Sequence, residues 1–149
     1  MFAPRPHAAI KEMLRVLRPG GTIAFSSWPP ELFMGQFFQI NAKYGPPLPD
    51  GAEAPVKWGS VEIIKQRLQN AVRDLTFDRD KLEMPGLSVA HIRANFETGA
   101  GPLKRMVEAF AEEPEKLSSL RNEIDKCIAG YFEDNLLRMD FLMAKGKKP

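Results

Sequence analysis

The sequence is poor in the residues that build several common kinds of functional site. It contains one cysteine, Cys127, and two histidines, His7 and His91, among 149 residues. A single cysteine excludes an internal disulfide framework and fits a reducing compartment. Because no cysteine or acidic cluster lies at metal-ligand spacing from either histidine, we expect no metal site. Cys127 falls on the apolar face of a predicted helix, which indicates a buried and unreactive thiol.

Long apolar runs and strong charge are absent as well. No run approaches the roughly 20 apolar residues that cross a bilayer, and no charged-then-apolar signal opens the chain. The net charge of +2 is too small to indicate a nucleic-acid partner. We therefore expect a cytoplasmic protein that binds neither membranes nor nucleic acids. Gly99–Gly101 lacks the third glycine of a dinucleotide-binding turn and is followed by Pro102, so it predicts only a helix-breaking turn.

The most informative segment that is present is Ala8–Trp28, AAIKEMLRVLRPGGTIAFSSW. Pro19 ends its helix, and Gly20 can adopt the left-handed backbone that closes a helix end. The apolar, partly β-branched stretch Thr22–Phe25 is typical of a buried parallel strand. Helix, turn and strand together form half of an α/β unit. The apolar side chains of the helix recur at the spacing of one helical face, at Ile10, Met13, Leu14 and Leu17.

The rest of the sequence predicts further helices and strands within one domain, 1–149. The proline-rich region 29–59 contains one amphipathic helix, Glu31–Tyr44, and an irregular loop, Gly45–Gly59. In region 60–149, Ser60 and Ser88 are predicted N-caps, each followed by a helix, the second of which is Val89–Phe96. Two further helices are predicted, at Pro102–Phe110 and from Pro114 to about Phe132. The predicted strands are a half-exposed edge strand at Leu75–Met84 and a last strand at Asn135–Ala144.

The last predicted strand and the residues after it carry two further expectations. Alternation along the strand predicts one apolar face, made by Leu137, Met139, Phe141 and Met143. The three lysines near the C-terminus predict a solvated tail, with Lys145, Lys147 and Lys148 in water.

The segment Leu14–Trp28 resembles the helix, turn and fifth strand of class I S-adenosylmethionine-dependent methyltransferases of the type 11-like kind. A weaker resemblance extends to the end of the chain, where Trp58–Leu68 is similar to the next helix, Leu75–Met84 to the sixth strand and Asn135–Lys145 to the antiparallel seventh strand. The resemblance implies a partial Rossmann-like α/β fold. In it, a small mixed sheet of three strands is flanked by helices, and the last strand lies between the other two and antiparallel to them.

The same resemblance implies that the cofactor-binding half of the fold is missing from this chain. In the family, a glycine-rich turn after strand one and an acidic residue ending strand two hold S-adenosylmethionine, and both precede the region that this chain resembles. We therefore expect a truncated, methyltransferase-like protein that does not bind S-adenosylmethionine alone and is inactive alone. Whether the chain is an enzyme stays open at this stage.

The resemblance also implies a substrate pocket built from three segments. Methyl transfer from a sulfonium depends largely on positioning of the acceptor, so no catalytic residue is assigned. For His7 a role as a base and a solvated position both stay open, as do acceptor binding and core packing for Phe37. Region 29–59 is interpreted either as a cap over the pocket or as a surface loop. The pocket candidates are Arg5, His7, Ser26, Ser27, Trp28, Phe37, Tyr44 and Trp58, and Phe2 is a weak candidate for cofactor contact.

Three functional hypotheses follow. The chain is a methyltransferase fragment, one half of a split methyltransferase, or a non-enzymatic homodimeric module that uses half of the fold. If the enzyme is active, its acceptor is a small molecule. Because the strand Thr22–Phe25 would lose its neighbour, strand four, we expect a homodimer or a partner chain that supplies the missing half.

Overall fold

The computed structural model of the protein describes residues 2–149, and it is a mixed α/β structure. A short 3-10 helix, Pro55–Gly59, precedes the third α-helix. The α-helices are α1 (Pro6–Val16), α2 (Phe33–Tyr44), α3 (Val61–Leu68), α4 (Val89–Gly99), α5 (Gly101–Ala109) and α6 (Pro114–Ala129). The strands are β1 (Thr22–Ser27), β2 (Arg73–Pro85), β3 (Phe132–Glu133) and β4 (Leu136–Lys147). None of these helices combines the length and apolar character needed to cross a membrane.

The four strands form an open antiparallel sheet in which β1, β4 and β2 are neighbours in that order and β3 pairs with β4. The prediction that the last strand lies between the other two and antiparallel to them is confirmed. The prediction of a mixed sheet of three strands is wrong, because the two-residue strand β3 adds a fourth and the sheet is antiparallel. The interpretation of Thr22–Phe25 as a buried parallel strand is also wrong, since β1 pairs antiparallel with β4 and exposes alternate side chains.

The pairing of β1 with β4 defines two faces of the sheet. Directly opposed residues share a face, so the inner face carries Ile23, Phe25, Leu142 and Ala144, and the outer face carries Thr22, Ala24, Ser26 and Lys145. Helices α1 and α3 both cover the inner face, because Ile10 and Ile64 belong to one buried cluster with Ile23 and Ala144. On the outer face, the side chains of Thr22, Ala24 and Ser26 are exposed.

The connection from α1 to β1 follows the sequence pattern closely. Gly20 has a φ of +75°, the left-handed conformation that was predicted from the Pro19–Gly20 pair. The predicted solvated tail is wrong in one respect, because Lys148 Nζ donates hydrogen bonds to Leu14 O (2.9 Å) and Leu17 O (2.8 Å). A lysine ammonium therefore satisfies carbonyl groups at the C-terminal end of α1, where cations are favoured.

The two predicted serine N-caps agree with the structure, whereas α2 begins at Phe33 instead of Glu31 and α4 extends to Gly99 instead of ending at Phe96. Ser60 Oγ accepts a hydrogen bond from Ile63 N, and Ser88 Oγ accepts one from His91 N, which confirms both N-caps. Helix α6 ends at Ala129 instead of reaching Phe132. The segment after it forms a hairpin between β3 and β4.

The burial pattern of β4 changes phase within the strand. Leu137 and Met139 are buried as predicted, but the next buried side chains are Leu142 and Ala144, not Phe141 and Met143. The change falls at Asp140–Phe141, which is also the boundary between two compact units of the chain. The predicted single alternation is therefore wrong after Met139, because β4 contributes to two separately packed cores.

The chain comprises two compact units. The first contains residues 2–35, 48–80 and 140–149, and the second contains residues 36–47 and 81–139. The first unit has its core on the inner face of the sheet, made by Ile10, Ile23, Trp58, Ile64, Leu68, Val72, Leu142 and Ala144. In the second unit α4 packs against α5 and α6. The buried side chains of this unit include Phe37, Ile92, Leu103, Met106, Phe110, Leu120, Ile124 and Ile128.

Candidate functional site

The candidate site lies at the C-terminal end of β1, within the first unit. Ser26 and Ser27 point to opposite faces, because side chains alternate along a strand. Ser26 is exposed, whereas Ser27 is 2% exposed and its Oγ has no hydrogen-bond partner among the described residues. Trp28 is half-buried, and its ring meets that of Phe141 edge-on at 6.4 Å between centroids. The two serines therefore do not face a common space.

Trp58 forms the apolar floor of this region. Its side chain is 3% exposed, and its ring meets the Phe25 ring edge-on at a centroid distance of 5.6 Å. Its indole Nε1 donates a hydrogen bond of 3.2 Å to Ala3 O, which satisfies the one polar atom that the ring carries into the core. The predicted pocket residue Trp58 thus joins the strand, the proline-rich loop and the N-terminal segment.

The loop that carries Trp58 approaches the end of β1 as closely as backbone allows. A Cβ atom at Gly59 would lie 1.9 Å from Trp28 O and 2.8 Å from Pro29 Cα, so no other residue fits without a backbone shift. Gly59 is buried and ends the short 3-10 helix. This contact places Trp58 against β1 and explains why the segment 48–59 packs as part of the first unit.

Arg67 is the functional candidate that the sequence reasoning missed. Its side chain is only 4% exposed, its Nη2 donates a hydrogen bond of 2.8 Å to Glu53 Oε2, and its guanidinium lies 5.2 Å from the centroid of the Trp58 ring. Its Nη1 has no hydrogen-bond partner among the described residues. The available signal was the position of Arg67 in α3, where it stands between the buried Ile64 and Leu68 on an otherwise apolar stripe.

Glu53 is the counter-charge of this buried arginine. Partial burial alone would raise the pKa of the Glu53 carboxyl, but the charges of Arg67 and Lys57 and their hydrogen bonds outweigh it, so the pKa lies below its ordinary value. Lys57 Nζ lies 3.4 Å from Glu53 Oε2, and Glu53 N donates to Pro4 O at 2.9 Å. Glu53 therefore stays ionised at neutral pH and ties the proline-rich loop to α3 and to the N-terminal segment.

The candidates at the start of the chain are on the surface. Arg5 is exposed and precedes α1 without a capping hydrogen bond from its side chain, although its carbonyl accepts a hydrogen bond of 3.1 Å from Ala9 N. His7 is exposed in the first turn of α1, and the side chain of Phe2 is exposed as well. Within the part of the chain that the structure describes, neither Arg5 nor His7 forms a hydrogen bond with Ser26, Ser27 or Trp58.

Phe37 and Tyr44 belong to the second unit. Phe37 is buried, and its ring lies 4.9 Å from that of Phe96, so core packing accounts for it. Tyr44 Oη donates a hydrogen bond of 2.7 Å to Glu123 Oε1, which also accepts one from Lys43 Nζ at 2.6 Å. The hydrogen bonds to Glu123 raise the pKa of Tyr44 and of Lys43, and the same bonds lower the pKa of Glu123.

The remaining reactive side chain of the second unit is Cys127. It is buried, and burial raises the pKa of its thiol to about 11, so the prediction of a buried thiol is confirmed. Within residues 2–149 no group of three or more histidine, cysteine or acidic side chains is arranged to hold a metal ion. What the candidate site offers is a buried aromatic floor, a buried guanidinium with a free N–H group and a buried hydroxyl.

Three uncharacterized mycobacterial proteins are similar to nearly the whole chain. Rv1403c of Mycobacterium tuberculosis is 30% identical in an alignment of 149 positions that covers 99% of this chain and 54% of the relative. Mb1438c of Mycobacterium bovis gives the same identity and coverage. Rv1405c of Mycobacterium tuberculosis is 27% identical over 149 residues, with 54% of the relative covered. The chain thus spans about half the length of the curated relatives it matches. No family model matches the sequence.

Proposed function

We propose that this chain is the C-terminal half of an S-adenosylmethionine-dependent methyltransferase-like fold and is inactive alone. The observation that carries the proposal is the strand order β1-β4-β2, in which the last strand is inserted between two others and runs antiparallel to its neighbours. The resemblance of Leu14–Trp28 to that family implies the same strand order. Insertion of the final strand is a specific feature, because consecutive strands pair or neighbour each other in most sheets.

The coverage of the sheet supports the same proposal. Helices α1 and α3 lie on one face only, and the outer-face side chains of Thr22, Ala24 and Ser26 are exposed. Sheets of doubly wound α/β proteins carry helices on both faces. A segment that supplies the second layer of helices would also supply the cofactor-binding turn. The relatives are long enough for such a segment, since the matched region is 54% of their length.

In the complete fold, the role we assign to this half is positioning of a small-molecule methyl acceptor. The carboxyl end of β1 is where α/β folds bind ligands, and Ser27, Trp28 and Trp58 lie there. The Trp58 ring and the Arg67 guanidinium, both nearly inaccessible to solvent, would support the acceptor site from beneath, with Glu53 holding the arginine in place. Displacement at a sulfonium methyl group gains most from such fixed geometry.

The competing proposal is a non-enzymatic interaction module, and the unpaired edge of β1 favours it. The two proposals differ in what the longer relatives do with S-adenosylmethionine. We therefore propose calorimetric titration of S-adenosylmethionine into three proteins: full-length Rv1403c, the region of Rv1403c that this chain matches, and this chain. We expect one site per monomer in the full-length relative and no heat of binding in the other two. A full-length relative that does not bind S-adenosylmethionine would favour the interaction module.

A further inference from the structure

One edge of β1 offers unpaired backbone groups in a defined pattern. Lys148 N donates a hydrogen bond of 2.8 Å to Gly21 O, so Gly21 and Lys148 form a hydrogen-bonded pair. Hydrogen-bonded and non-hydrogen-bonded pairs alternate along an antiparallel ladder, so the next pair, Thr22 and Lys147, is a non-hydrogen-bonded one. Odd-numbered residues of β1 therefore direct their N–H and C=O groups towards β4. The even-numbered residues Thr22, Ala24 and Ser26 direct theirs away from β4, and within residues 2–149 β1 pairs with β4 alone.

The two edges of the sheet differ sharply in chemistry. Strand β2, at the other edge, has the sequence RDLTFDRDKLEMP with seven charged residues, which discourage pairing with another chain. Strand β1 has the sequence TIAFSS, without a charge, a proline or a glycine. Edge strands of soluble proteins ordinarily carry such protection, so an unprotected edge indicates that β1 pairs with another strand.

We propose that the free edge of β1 binds the β1 strand of a second copy of this chain, antiparallel and about a two-fold axis at Ala24. In this register Thr22 stands opposite Ser26 and Ile23 opposite Phe25. Because Thr22, Ala24 and Ser26 all direct their backbone groups to the partner, the pairing forms six N–H···O=C hydrogen bonds. A register centred on Phe25 would leave Thr22 outside the paired segment and form fewer.

The second copy is the occupant that β1 fits best, because the strand is complementary to itself. Hydroxyl side chains meet hydroxyl side chains on the outer face, and a β-branched residue meets an aromatic one on the inner face, which is a favourable cross-strand pair. Without charge, β1 has nothing that would select a partner of opposite charge. Pairing about a two-fold axis uses both β1 edges and leaves the two charged β2 edges outside, so assembly stops at the dimer.

The dimer proposal uses only the edge that this chain presents, and in a complete methyltransferase-like fold the same edge would pair with strand four.

Sedimentation equilibrium between 1 and about 100 µM tests the dimer, with Ala24→Pro as the decisive variant. Proline at this position removes an N–H group from the free edge and none from the β1–β4 ladder. It removes both central hydrogen bonds of the two-fold pair, so we expect the dimer dissociation constant to rise roughly 25-fold or more. Ala24→Val is the matched control, since it keeps the N–H group and should remain dimeric.

Amide hydrogen exchange of the unmodified chain keeps the test decisive if the proline variant fails to fold. The amides of Thr22, Ala24 and Ser26 should exchange slowly at high concentration and at least about tenfold faster on dilution below the dissociation constant. The proposal would be overturned by any of three results. These are a monomer at about 100 µM, an Ala24→Pro dimer as tight as the unmodified one, and amide exchange rates that do not depend on protein concentration. Open-ended aggregates, or preferential pairing with a different co-expressed chain, would overturn the two-fold self-pairing specifically.

Discussion

Replacing Glu53 by glutamine should destabilise the protein more than is usual for a partly exposed side chain. The Arg67 side chain is 4% exposed and its guanidinium depends on Glu53 for charge compensation, since its Nη1 already lacks a hydrogen-bond partner. Removing one member of a fully buried ion pair costs about 3–5 kcal/mol. The Glu53 side chain is 29% exposed, so solvent screening reduces the expected loss for Glu53→Gln to about 1–3 kcal/mol.

Urea unfolding followed by tryptophan fluorescence at pH 7 measures this loss, because Trp58 lies directly beneath the arginine. Asp50→Asn is the matched control: it removes the same charge from the same loop, Asp50 is exposed, and its free energy of unfolding should change by at most about 0.5 kcal/mol. If Glu53→Gln and Asp50→Asn unfold at the same urea concentration, the buried ion pair does not hold the loop and our reasoning about Arg67 is refuted.

The difference in stability between the unmodified protein and Glu53→Gln should depend on pH in a defined direction. The folded-state pKa of Glu53 is lowered, so the stabilisation by the ion pair is fully present above the ordinary carboxyl pKa and is lost as the pH falls through the lowered value. The stability difference between the unmodified protein and Glu53→Gln should therefore shrink on acidification below that range. A difference that stays constant down to the acid limit of folding would contradict this assignment.

Three further predictions concern other contacts. The Cys127 thiol, buried and with a raised pKa, should resist Ellman's reagent at pH 8 in the folded protein and react fully in urea. Glu97→Gln should lower the free energy of unfolding by about 1–3 kcal/mol, since Glu97 accepts hydrogen bonds from both Arg93 and Arg121 at 2.8 Å. Lys148→Met should cost about 1 kcal/mol by leaving carbonyl groups at the end of α1 uncapped.

Each of these predictions has a control on the same chain. Thiol labelling that is equally fast in the folded and unfolded protein would show that Cys127 is accessible. For Glu97→Gln the control is Glu108→Gln, an exposed glutamate that should be neutral. For Lys148→Met the control is Lys147→Met, whose ammonium is half-exposed and 3.6 Å from Asp74 Oδ2. Equal stability of variant and control would contradict the corresponding contact.

Local sequence signals predicted the elements that depend on local physics. The serine N-caps of α3 and α4 and the Gly20 turn were predicted because their side chains and backbone act within a few residues. The hairpin between β3 and β4 was missed although its signal was present. Asp134 and Asn135 form a two-residue turn in which both have positive φ, and aspartate and asparagine tolerate that conformation well.

The parts that were missed depend on contacts between distant residues. Lys148 lies at the end of the chain and reaches carbonyl groups of α1, a contact that no local pattern indicates. The phase change in β4 arises because the strand contributes to two cores, so a single alternation was the wrong template. Of the candidate site, the sequence predicted that Ser27 and Trp28 lie at the end of β1, but not the Arg67–Glu53 pair, since pairing of charges 14 residues apart requires the folded loop.

A chimera tests most directly the central claim that this chain is one half of a methyltransferase-like fold. In it, this chain replaces the matched region of Rv1403c, and S-adenosylmethionine binding is measured by calorimetry beside the unaltered relative. Our account predicts one site per monomer in both proteins, with dissociation constants within about tenfold of each other, because the replaced half supplies structure and acceptor contacts rather than the cofactor turn. If the relative binds S-adenosylmethionine but the chimera does not fold or does not bind it, the claim is contradicted.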